Sequence, residues 1–177
     1  DFAGIFACVP SSGACDTAAE WVRMTRIRVE KNDTRVTNGS GVFTLDFDNR
    51  LRALAAFLQL PDAAGLTAAN KRIANILRKA GEQPSPRVDP GLLTDAEERK
   101  LATEIEALRQ DVERLVTARR YEEALARLAS LRGPVDAFFE SVLVMAEDVR
   151  LRANRLALLA ALQRLFLHIA NLSRLPG

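Results

Sequence analysis

Two short polar strips interrupt the apolar pattern of this chain and carry the side chains best suited to hold another molecule. The first is Asn70-Lys71-Arg72-Ile73-Ala74-Asn75. On a helix it sets Asn70 and Ala74 on one line and Lys71 and Asn75 on the next, beside an apolar stripe. Asparagine is a weak helix former, so two of them so close together call for a reason beyond propensity. Their amides can bond to RNA or to a partner while Lys71 and Arg72 meet phosphates, or they can bond to neighbouring loops of the same fold. The second strip is Asp148, Arg152, Asn154 and Arg155. Asp148 and Arg152 have the spacing of a helical ion pair worth about 0.3–0.5 kcal/mol. The strip is either a junction between two helices, tied by that pair, or a cluster in which Arg150, Arg152 and Arg155 offer guanidinium forks to phosphates. Aromatic residues that could stack on bases are few, and Tyr121 is the only tyrosine.

Catalytic constellations are absent from the sequence. It has no glycine-rich phosphate loop, no HExxH and no serine elbow. The single histidine, His168, lies among Phe166, Leu167 and Ile169, where a packed or rim role is expected. Glu122-Glu123 and Glu147-Asp148 are adjacent pairs, and neighbours on a helix diverge by about 100°, so neither is preset as an acid/base dyad. Cys8 and Cys15 with one distant histidine do not make a zinc site and read as free thiols. The expectation is a chain with no catalytic residue, no metal ligand and no cofactor of its own.

Both strips depend on helices to position them. From Asp46, read as an N-cap, Phe47, Leu51, Leu54 and Leu58 follow helical spacing up to Pro61. A second helix is predicted from Asp62 or Leu66 to Lys79, with Leu66, Ala69, Ile73, Ile76 and Leu77 inward. Gly81 and the prolines at 84, 86 and 90 mark a loop. Thr94-Asp95-Ala96-Glu97 reads as a capping box. It opens a helix with Leu101, Ile105, Leu108, Val112 and Leu115 on one face and Glu98, Lys100, Arg109 and Glu113 on the opposite, wet face. After a break at 117–120, Tyr121, Leu125, Leu128 and Leu131 form a shorter helix that Gly133 ends, and Pro134 suits the first turn of the next. That next helix is predicted to bury Val135, Phe138, Phe139, Val142, Met145 and Ala146. The last, from about Arg152 to Ser173, is apolar on most of its circumference and belongs mid-bundle. Short connections favour antiparallel neighbours. Residues 46–177 are thus expected to be an all-α antiparallel helix bundle.

Residues 1–45 read differently, as an irregular N-terminal segment. Val22–Glu30 alternates apolar and basic residues like a strand, with Asn38-Gly39-Ser40-Gly41 as a turn. The chain starts at Asp1 rather than Met, as a fragment or trimmed product would. An apolar fraction of 48% and a charged fraction of 27% suit a globular protein. No apolar run approaches the roughly 18 residues of a membrane span, so a cytoplasmic protein is expected. The net charge of +2 is too small to argue for nucleic acid by its sum, although arginine supplies 21 of the 25 basic residues.

The elements DFDNRLRAL (Asp46 to Leu54), ANKRIANIL (Ala69 to Leu77), the run from Tyr121 to Asp148, and LRANRLALLAALQRLFLHIANLS (Leu151 to Ser173) occur in this order. In order and spacing they resemble the C-terminal domain of the bacterial glycyl-tRNA synthetase beta subunit. The resemblance implies a helical anticodon-binding fold like that of arginyl-tRNA synthetases. It also implies recognition of glycine tRNA, while the alpha subunit activates glycine with ATP and Mg²⁺. The implied partners are the tRNA, the alpha subunit and the remainder of the beta subunit, with neither membrane nor DNA. Under that reading Asn70, Lys71, Arg72, Asn75, Arg152 and Arg155 are the tRNA-binding residues; the rival is a helical docking domain that assembles the subunits. Asn171 stands where the family usually has an aspartate, and residues 1–43 do not share the resemblance.

Overall fold

The computed structural model describes residues 42–81 and 84–175. Among these residues it is all-helical, with six α-helices, two short 3-10 turns and no strand. The helices are α1 (Val42–Phe57), α2 (Ala63–Ala80), α3 (Ala96–Thr117), α4 (Tyr121–Ala129), α5 (Arg132–Ser141) and α6 (Val149–Leu167). The 3-10 turns span Pro90–Leu92 and Leu172–Arg174. The strand and turn expected before residue 42, and both cysteines, lie outside the described residues.

The amphipathic stripes read from the sequence do build the core. Phe57, Leu66, Ile73, Leu101, Leu125, Leu128, Leu131, Phe138, Leu158, Leu159, Leu162 and Phe166 are all fully buried. Residues 154–160 of α6 are buried without interruption, so this helix is enclosed on its whole circumference. It packs against α2, α3 and α4, while α1 lies on α4 and α3 lies on both α4 and α5. Of successive helices only α3 and α4 pack extensively, so the short connections do not make every neighbour in sequence a neighbour in space.

Boundaries shift for identifiable reasons. Helix α1 begins at Val42, four residues ahead of Asp46. Asp46 is therefore no N-cap; its carboxylate binds Arg50 one turn on, with Nε to Oδ2 at 2.8 Å. The capping box of α3 is moved one residue, with Asp95 as the cap and Glu98 as its reciprocal partner. Helix α4 stops at Ala129, and Gly133 sits with Pro134 inside the first turn of α5. Helix α5 ends at Ser141, and the chain then runs extended at Val142. Burial alternates there: Val142 and Val144 are inside, while Leu143 is 70% and Met145 52% exposed. The helical projection that put Met145 inward fails because this segment has period two. The last helix stops at Leu167, short of Ser173.

The α3–α4 break is a Schellman motif. Arg120 N–H donates to Leu115 O and Arg119 N–H to Val116 O. The left-handed position that normally takes glycine is filled by Arg119, at φ 58°.

Candidate nucleic-acid interface

Charge is segregated by helix. The charged residues of α2 are Lys71, Arg72, Arg78 and Lys79, and those of α6 are Arg150, Arg152, Arg155 and Arg164; neither helix carries a carboxylate. Helix α3 has both signs and neutralises itself: Arg109 pairs with Glu106 at 2.7 Å and Glu113 at 3.3 Å, and Arg114 with Asp111 at 3.0 Å. Arg120, which caps α4, pairs with Glu123 at 2.5 Å.

The first strip lies on the outer side of α2. Arg72 is exposed, with its guanidinium carbon 4.0 Å from the Phe139 ring centroid. Lys71 is half-buried. Asn75 is exposed and accepts a hydrogen bond from Arg78 at 2.9 Å. Asn70 differs: it is 3% exposed, and its amide donates to Leu66 O at 3.0 Å. Its polarity is spent on its own helix.

The second strip turns inward. Arg155 is 7% exposed. Its Nε donates to Glu98, Nη2 lies 2.7 Å from Asp95 Oδ2 and 3.3 Å from Thr94 Oγ1, and Nη1 donates to Leu143 O at 2.8 Å. Glu98, expected on the wet face of α3, is fully buried. One of its oxygens takes Arg155 while the other accepts the Asp95 N–H at 3.0 Å. The ion pair expected between Asp148 and Arg152 does not form. Asp148 instead caps α6, accepting from Arg150 N–H at 2.7 Å and Leu151 N–H at 3.1 Å. Those two backbone donors, Leu151 first, hold its carboxyl below the usual carboxylate range. Arg152 is half-buried and donates to Ala146 O at 2.8 Å. Asn154 pins the preceding loop, accepting from Asp89 N–H at 2.7 Å and donating to Asp89 O at 3.0 Å. The junction alternative therefore describes Asp148, Asn154 and Arg155.

A third polar cluster escaped the sequence reading. Arg50 is buried, stacks 4.3 Å from the Tyr121 ring centroid, and donates to His168 O at 2.7 Å and Ile169 O at 3.0 Å. Tyr121 O–H donates to Asp46, and Arg119 lies 3.8 Å from the same carboxylate. Burial works to raise the Asp46 carboxyl, but the bonds from Tyr121 and Arg50 and the two guanidinium charges outweigh it, and its pKa is lowered. The Tyr121 hydroxyl is raised, by burial first and then by its bond to Asp46. The cluster ties α1 to α4 and to the end of α6. Its partners are too far apart in sequence for helical spacing to reveal it.

Asn171 accepts from Ser173 N–H at 3.2 Å and from Ser173 Oγ at 2.7 Å, closing the last turn as an aspartate would. Among the described residues no group of three or more His, Cys, Asp or Glu is placed to hold a metal ion, and no helix is long and apolar enough to cross a membrane.

Residues 66–172 match the family model described as the DALR anticodon binding domain. A protein of Chromohalobacter salexigens named glycine–tRNA ligase beta subunit is 55% identical over 131 residues, which cover 74% of this chain and 19% of that protein. The protein of the same name from Pseudomonas entomophila is 52% identical over the same share. A third, from Stutzerimonas stutzeri, is 44% identical over 175 residues, 94% of this chain and 25% of its own length. Its match extends into the residues before Asp46, which the sequence reading had set apart. The chain thus spans 19–25% of the length of these curated relatives.

Proposed function

Since the chain belongs to the DALR anticodon-binding domain family, we propose that its bundle is the tRNA-recognition domain of a cytoplasmic glycine–tRNA ligase beta subunit. In this reading it binds glycine tRNA at the anticodon end, and the alpha subunit activates glycine with ATP and Mg²⁺.

The observation that carries the reading is α2, a helix inside the family match whose charges are all basic and turn to the surface. Among the described residues Lys71 and Lys79 have no ion-pair partner, so their charge is available to phosphates. Contact is assigned to Lys71, Arg72 and Asn75, with Arg152 at the margin. Asn70 and Arg155 are assigned to holding the helices that present them. Docking on the rest of the synthetase has its own support in exposed apolar residues, Leu143 and Met145 in the loop before α6 and Val149 at its first position.

Fluorescence titration of the chain with glycine tRNA and with an unrelated tRNA, between about 50 and 200 mM salt, tests the proposal. Glycine tRNA is expected to bind more tightly, with log K falling linearly in log salt. Equal affinity for the two RNAs would leave the docking role as the better account.

A further inference from the structure

Helices α2 and α5 enclose a groove of about 380 Å³ beside the basic strip, at the lower end of the ~300–1,000 Å³ typical of small-ligand clefts. Gly65, Ala68 and Ala69 form its floor, and Arg72, Arg132, Asp136, Phe139 and Glu140 its walls. Two pairings fix the helices side by side. Arg72 lies over Phe139, and the Arg132 guanidinium crosses Gly65, where a Cβ would sit 1.1 Å from Nη1. The pairs are seven residues apart on each helix, so α2 and α5 run parallel. Glycine is disfavoured inside a helix relative to alanine; here its missing side chain is what admits Arg132.

The end of the groove at Arg72 is pre-organised for stacking. Phe139 meets the buried Phe138 edge-on, with centroids 5.5 Å apart, which fixes its ring. The Arg72 guanidinium carbon stands over that ring, and the residue is exposed. The charges in the groove cancel: Arg72 and Arg132 face Asp136 and Glu140, and Arg132 Nε is held by Asp136 at 2.6 Å. Two carboxylates make a poor phosphate site. A flat, neutral ring is a better fit, because bases stack on guanidinium planes and carboxylates accept from exocyclic amino groups.

We propose that this groove takes one unstacked nucleobase bearing an exocyclic amino group, its face against the Arg72–Phe139 stack and its amino group toward Glu140. The phosphates on either side are left to Lys71 and Lys79. The proposal rests on the tRNA reading and names its base-reading subsite.

Ala68→Leu fills the groove from an exposed position without changing charge or core. Ala107→Leu, on the exposed face of α3, is the control, with thermal melting to show that both variants fold. Ala68→Leu is expected to weaken glycine tRNA by about ten-fold, the loss of one stacked base, with an unchanged salt slope. Ala107→Leu is expected to bind as the parent does. With short oligoribonucleotides, the parent should prefer oligo(C) to oligo(U), and Glu140→Gln should narrow that preference. Binding of Ala68→Leu equal to that of Ala107→Leu, or a C/U ratio untouched by Glu140→Gln, overturns the subsite alone. Failure of the parent chain to bind tRNA at all overturns the tRNA reading beneath it.

Discussion

Two arginines at comparable places in the sequence, each in a helix rich in basic residues, end in opposite situations. Arg72 projects from α2, rests on a ring and forms no ion pair among the described residues. Arg155 points into the bundle, where Glu98 and Asp95 take two of its nitrogens. The difference lies with the neighbours. Helix α2 packs beside α5 and leaves its basic side open, whereas the start of α6 passes the start of α3, whose capping carboxylates need a cation. Helix α3 thereby converts an apparent binding residue into a structural one. Local sequence composition does not separate the two cases; a carboxylate 57 residues away does.

The largest test of the contrast is Arg155→Ala. It leaves Glu98 buried without its cation and is expected to lower stability by about 3–5 kcal/mol in urea unfolding. The double variant Arg155→Met with Glu98→Leu should recover much of that loss. A single variant as stable as the parent would show that the buried pair does not hold the α3–α6 junction. Next in size, Lys71→Ala and Arg72→Ala should each weaken tRNA several-fold, the former lowering the salt slope by about 1, while stability moves by no more than about 1 kcal/mol. Reversal of these two outcomes, with binding lost at Arg155 in a stable protein, would invert the comparison.

A third arginine sharpens it. Arg119 occupies a left-handed turn that suits glycine, so Arg119→Gly should raise stability by about 1 kcal/mol, less what its charge contributes beside Asp46. The smallest effect is the pH response of Asp46. Its carboxyl is lowered in the folded chain relative to an ordinary 3.8. The stability it contributes is therefore full above that ordinary value and is lost as pH falls through the lowered one. The stability gap between parent and Asp46→Asn, followed by urea unfolding from neutral pH downward, should close in acid. A gap that widens there would assign the carboxylate the opposite sign.

Much of the fold was legible in the sequence because its core is written in helical period. Leu101, Ile105, Val112 and Leu115 are buried as spaced, and Gly81 ends α2 in the left-handed conformation. What was not legible follows a different rule. Residues 142–145 alternate like a strand, so a helical reading sent Met145 the wrong way. Asp46 read as an N-cap and Glu98 as a solvent-facing charge because their partners, Tyr121 and Arg155, come from remote segments. The strip at Lys71 and Arg72 was readable as basic. Its companions Phe139, Arg132 and Gly65 were not, since only the parallel course of α2 and α5 brings them together.

The pairing of Asn154 with Asp89 has a consequence for the loop between α2 and α3. One side-chain amide satisfies both the N–H and the C=O of a single loop residue, as an adjacent strand would. The buried helix thus reaches out to hold the loop at the residue that leads into the Pro90–Leu92 turn. In hydrogen–deuterium exchange the Asp89 amide is therefore expected to exchange slowly, as core amides do.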